Sequence, residues 1–101
     1  MYQSMKQPFL IRRVVGLSMS PNLKPGRIIL GLSLGKPKVG ELIIFNHDGL
    51  EKIKRVDKIE TNTVFVLGDN PSQSTDSRQF GNVDSSQIIA RVLWPRNRIK
   101  T

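Results

Sequence analysis

The chain has 101 residues, enough for one small hydrophobic core and too few for a second domain. It contains no cysteine, which excludes disulfides, thiolate metal sites and a cysteine nucleophile, and its single histidine leaves too few ligands for a zinc site. Sixteen Lys and Arg against eight Asp and Glu give a formal charge of +8, which suits nucleic acid, an anionic membrane surface or an acidic partner without choosing among them.

Residues 1–8 are polar and are expected to form a flexible N-terminus. Phe9 to Val15 reads as a short strand, and Gly16-Leu17-Ser18-Met19-Ser20-Pro21 follows it. There a serine hydroxyl stands between the strand and the turn-forming Pro21 to Gly26, where a rigid element can present a nucleophile. Gly, Ser and Pro are also what an ordinary turn selects. The prolines forbid a long helix but leave room for one helical turn over Ser20 to Leu23.

Arg27 to Leu34 and Glu41 to Phe45 read as the second and third strands, and Asn46-His47-Asp48-Gly49 is a hairpin signal. In the returning segment Leu50 to Glu60, Ile53, Val56 and Ile59 recur every third residue, as they would in a helix. The hairpin signal, the β-branched residues and the missing helix cap favour a strand. Thr63 to Leu67 is a further strand ended by Gly68, and Asn70 to Asn82 is a polar connection long enough to be functional or disordered. Val83 to Gln87 suits a short helical turn, and Ile88 to Trp94 a last strand before a basic tail over 96–101.

A mainly β domain over 9–95 is expected, a small β-barrel or β-ribbon core with little helix. No apolar run reaches the roughly 18 residues of a membrane span, and Arg12-Arg13 cuts off Phe9-Leu10-Ile11 before it could act as a secretory signal. A soluble chain, cytoplasmic or peripheral at the cytoplasmic membrane, is expected. The six aromatics lie in apolar runs rather than among the basic residues, so no base-stacking platform and no specific nucleic-acid partner are expected.

A Ser-His-Asp triad would have to use His47, which the hairpin turn already explains. Without histidine a serine nucleophile needs another base, and lysine is the known substitute. Such a lysine must be desolvated, because its ordinary pKa of about 10.4 keeps it protonated at neutral pH. Lys54, between Ile53 and Arg55-Val56, meets that requirement, while Lys52, Lys54 and Lys58 could equally form one solvated strand face.

Four segments, taken in order, closely resemble the motif boxes of type I signal peptidases: Gly16 to Leu23, Gly40 to Phe45, Ile53-Lys54-Arg55-Val56, and Gly68-Asp69-Asn70 through Ser74-Thr75-Asp76-Ser77-Arg78 to Gly81. Each box is short, and their order and spacing over about 9–95 carry the resemblance. It implies a signal-peptidase or LexA-like β fold with Ser18 as nucleophile and Lys54 as general base, working through an acyl-enzyme without cofactor or metal. Ser74 corresponds to the residue that orients the lysine, and Asp76, Ser77, Arg78, Gly68, Asp69 and Asn70 to its structural support. Met19, with Val14 and Leu23, would line a pocket for the small residue before the cut. The substrate implied is a signal peptide or propeptide bound as an extended strand along Leu10 to Val15 and Leu50 to Ile53.

The chain departs from the best-known bacterial pattern at Gly16, where a hydroxyl residue would supply an oxyanion donor, so the backbone N–H of Ser18 is left to act in that role. The Gly-Leu-Pro-Gly-Asp that often follows the lysine box is absent, as is the usual large β insertion. The wording of 68–78 is similar to that of minimal anchorless members such as the maturation proteases of nickel superoxide dismutase. A monomer with peripheral contact to an anionic membrane is expected. Two other readings stay open: a LexA-like self-cleaving domain, and a basic β-barrel that binds RNA or acidic surfaces without catalysis.

Overall fold

A computed structural model describes residues 8–96. Among the described residues the apolar runs form seven strands: β1 (Phe9–Arg13), β2 (Ile28–Leu32), β3 (Leu42–His47), β4 (Leu50–Ile59), β5 (Thr63–Leu67), β6 (Val83–Asp84) and β7 (Ile88–Trp94). They join one antiparallel sheet in the order β1-β2-β7-β3-β4-β5-β6. The fold is mainly β, as expected, but the sheet stays open rather than closing into a barrel, because the pairing runs from β1 at one edge to β6 at the other.

The β3–β4 hairpin turns on Asp48 and Gly49, both at positive φ (51° and 79°), the conformation that a two-residue turn matched to strand twist demands. The three-residue spacing in β4 has two causes: Ile53 and Val56 lie on opposite faces and pack into different cores, while Val56 pairs with Val66 and Lys58 with Phe65, so Asp57 is an extra, bulged residue that returns Ile59 to the face of Val56. Two more bulges interrupt β7, at Leu93 against β2 and at Ile89 against β3.

Bulges bend and twist a strand, and here the sheet curls. β1 and β4 stand four strand spacings apart, about 19 Å in a flat sheet, yet Arg12 of β1 reaches Glu51 of β4 with N···O of 2.7 Å. Central β3 is covered on both sides, as its continuous apolar run requires. Leu42 and Ile44 pack with Val14, Met19, Leu23, Ile29 and Ala90 on the inner side of the curl. Ile43 and Phe45 pack with Val56, Val64, Val66 and Val83 on the other.

The connection from Asn70 to Asn82 is ordered by two local turns. A 3-10 turn covers Pro71–Gln73, and the single-turn helix α1 (Ser77–Phe80) starts in a capping box between Asp76 and Gln79. The segment after it was expected as a helical turn alone. Val83 and Asp84 instead pair with Val64 and Thr63 as β6, and a 3-10 turn at Ser85–Gln87 follows. The N-terminus and basic tail lie outside the described residues except for Pro8, whose carbonyl accepts from the Ser33 N–H (2.8 Å) and hydroxyl, and Arg96.

Candidate active site

Where β1 ends, the chain makes a loop that returns at Arg27. Its base is closed by bonds from Val14 N–H to the Arg27 carbonyl and from Gly26 N–H to the Val14 carbonyl, both 2.8 Å. The Leu23 N–H donates to the Met19 carbonyl (2.9 Å), giving the single helical turn that the prolines permit. Met19 and Leu23 sink into the inner core and fasten the loop from below. Ser18 remains half-buried above them, its neighbours Gly16 and Leu17 exposed.

The Gly68-Asp69-Asn70 turn holds this loop from the side. The Asn70 N–H donates to the Ser18 carbonyl (2.8 Å), Asn70 Nδ2 to the Leu17 carbonyl (3.0 Å), and Asn22 Nδ2 to Asp69 Oδ2 (2.8 Å). The Asp69 N–H meets Met19 Sδ at 3.4 Å. Asp69 is itself fixed by Arg55, whose Nε and NH2 donate to its two carboxylate oxygens at 2.8 and 2.6 Å while NH1 donates to the Gly40 carbonyl. Both side chains of this pair are nearly buried, at 8% and 9% exposure, so the guanidinium ties β4 to the serine loop with bidentate geometry. Burial works to raise the Asp69 pKa, but the bonds from Arg55 and Asn22 prevail and lower it.

Gly68 marks a close approach. A Cβ there would collide with the Ser74 side chain and stand 2.9 Å from the Ser18 carbonyl oxygen, so only glycine lets the two loops touch.

Lys54 lies on β4 beside Arg55 and is only 5% exposed. Burial pushes its amine below the ordinary lysine pKa, an effect that the charge of Asp76 opposes and that of Lys52 reinforces. Asp76 is fully buried and accepts from the Gly68 N–H (2.8 Å), the Ser74 hydroxyl (2.8 Å), the Arg78 N–H (3.1 Å) and the Arg78 guanidinium (2.9 and 2.6 Å). Burial alone would raise the Asp76 pKa. The Arg78, Gly68 and Ser74 bonds outweigh it and hold the carboxylate ionised well below the usual range. Because Ser74 gives its one proton to Asp76, its oxygen has only lone pairs to offer another donor. The Ser77 hydroxyl accepts from the Val66 N–H (2.9 Å) and anchors the start of α1 to β5.

Ser18 and Lys54 both line one open groove of about 410 Å³, with Val14, Ile29, Ile44 and Ile53 as apolar lining and Thr75 at the side. Val14 thus lines the groove, while Met19 and Leu23 lie in the core beside it and are not among the lining residues. His47 is elsewhere, stacked on Phe80 with ring centroids 4.1 Å apart. Sequence reasoning passed over Arg55, Asn22 and Thr75. An arginine inside an apolar strand was the available signal for the first, since a buried charge demands a partner.

The groove runs between two unpaired backbone edges. Among the described residues β1 pairs only with β2, and Leu50–Lys54 of β4 pair only with β3.

Residues 47–96, about half of the chain, match the family described as signal peptidase, peptidase S26. A signal peptidase I of Bacillus caldolyticus is 41% identical over 49 residues, which cover 46% of this chain and 27% of that protein. The chain thus spans about a quarter of the length of this curated relative. The family match contains Lys54 and the loop from Gly68 to Arg78, whereas Ser18 precedes it.

Proposed function

The chain belongs to the S26 signal peptidase family, and we propose that it is a serine endopeptidase with a Ser18–Lys54 dyad, cleaving a signal peptide or propeptide after a small residue. The observation that carries this reading is that Ser18 and a nearly buried lysine of lowered pKa line the same groove. Deprotonated Lys54 takes the proton of Ser18 as its oxygen attacks the scissile carbonyl, then passes it to the departing amine. Water, activated by the same amine, releases the acyl group and restores the serine. Ser74, its hydroxyl proton committed to Asp76, keeps lone pairs with which it would accept from the lysine and orient it.

Among the described residues the Ser18 N–H has no hydrogen-bond acceptor, which supports its assignment as the oxyanion donor in place of a side chain at Gly16. The substrate adds as a strand between β1 and β4, with its small side chain toward Val14, Ile29 and Ile44. Contact with an anionic membrane surface belongs to the same proposal.

A peptide library incubated with wild type and with Ser18→Ala, scored for cut position by mass spectrometry, tests the reading. Cleavage after small residues by wild type alone is expected. Full activity in Ser18→Ala would falsify the dyad. Spontaneous internal cleavage would transfer the chain to the LexA-like reading, and salt-dependent RNA retention without peptide cleavage would replace hydrolysis by binding.

A further inference from the structure

The gap between β1 and the first half of β4 has two differently equipped sides. Both strands run toward the site, β1 toward Ser18 and β4 toward Lys54. A peptide extended between them places alternate side chains on opposite sheet faces. One set faces inward, onto Val14, Ile29, Ile44 and Ile53.

The other set faces outward, between Arg13 and Lys52. Arg13 is exposed and precedes buried Val14, so its side chain points away from the inner core. Lys52 pairs with Phe45 and lies on the outer face, its ammonium 5.2 Å from the Phe80 ring centre. Among the described residues neither cation has an ion-pair partner. Glu51, the one acid among the described residues of the groove wall, is already engaged by Arg12 through bonds of 2.7 and 3.1 Å. The outer rim therefore carries two uncompensated positive charges, one on each strand that would flank the substrate.

Resting on the peptidase reading, we infer that this site selects substrates acidic at the second and fourth residues before the cut, the positions that face outward when the small residue at the cut faces inward. Each carboxylate meets a flanking cation as an opposite-charge cross-strand neighbour.

Fluorescent peptides carrying Asp, Asn or Lys at those two positions test this. Binding is measured by anisotropy to the Ser18→Ala protein and cleavage with wild type. The Asp peptide is expected to bind about tenfold more tightly than the Lys peptide, with the difference collapsing near 1 M salt. Moving both Asp residues to the inward-facing third and fifth positions should abolish the gain at unchanged peptide charge, which separates this site from general attraction to a basic protein. Arg13→Gln with Lys52→Gln should remove the preference, and charge reversal at both should invert it. Equal affinities for all peptides, no measurable binding, or a gain that ignores position each overturns the inference. Acid-selective binding without cleavage overturns only the peptidase reading, and cleavage indifferent to charge overturns only this one.

Discussion

Lys54 combines a charged side chain with 5% exposure, and its titration links chemistry to stability. Burial lowers its folded-state pKa below the ordinary 10.5. Between those two values the unfolded chain holds a proton that the folded chain has released, so stability rises with pH in that window; below it the buried ammonium is a full cost. Activity that needs the neutral amine should rise with pH to a midpoint under 10.5, measurable from the pH profile of kcat/KM. Lys54→Met should abolish turnover yet melt at a higher temperature than wild type at neutral pH, with the gap narrowing as pH increases. Equal melting curves across that range would show that the lysine is not destabilised by burial. Asp76 titrates in the opposite sense: its depressed pKa contributes stability above the ordinary 3.8, lost only as pH falls toward the lower folded-state value.

Two contacts between elements govern the serine loop, and they should fail differently. Arg55→Leu leaves Asp69 as a buried carboxylate stripped of its guanidinium, a class of change that costs about 3–5 kcal/mol, so a large fall in the urea midpoint is expected. Gly68→Ala forces Ser74 and the Ser18 carbonyl aside. It should lower kcat by about 100-fold, as misplacement of reacting groups does, out of proportion to any loss of stability. If Gly68→Ala retained full kcat, the close approach of the two loops would be irrelevant to the chemistry. The capping box of Asp76 and Gln79 is a short-range signature that the sequence reading passed over. The pairing of β6 with β5 had no signal to read, since two residues carry no pattern of their own and take their conformation from the strand beside them.

Across the whole molecule, charge and apolar exposure fall together on the outer face of the sheet. Ile11, Leu30 and Trp94 stand in one row across β1, β2 and β7, and Arg27 lies 4.8 Å over the Trp94 ring. Ile11 and Trp94 are 65% and 52% exposed. With a net charge of +8, this face suits an anionic bilayer surface, where apolar burial and electrostatic attraction add. Sedimentation with anionic but not zwitterionic vesicles is expected, weakened by salt and by Ile11→Ser with Trp94→Ser. Equal recovery with both kinds of vesicle would remove the membrane from the proposal. No helix among the described residues is long and apolar enough to cross a membrane.

The sequence by itself determined what is local. Thr63–Leu67 and Ile88–Trp94 take the strand bounds that their apolar runs suggest, and Asp48-Gly49 turns the hairpin. The motif order nominated Ser18, Lys54 and the loop to Arg78, because short segments with fixed spacing are visible without coordinates. Only the tertiary structure decided that Asp57 is a bulge rather than a helical step, that Arg55 clasps Asp69, and that the sheet curls without closing. Each of these depends on which distant residue lies opposite. That choice comes from packing and twist summed over the whole sheet, which no single stretch of the chain encodes.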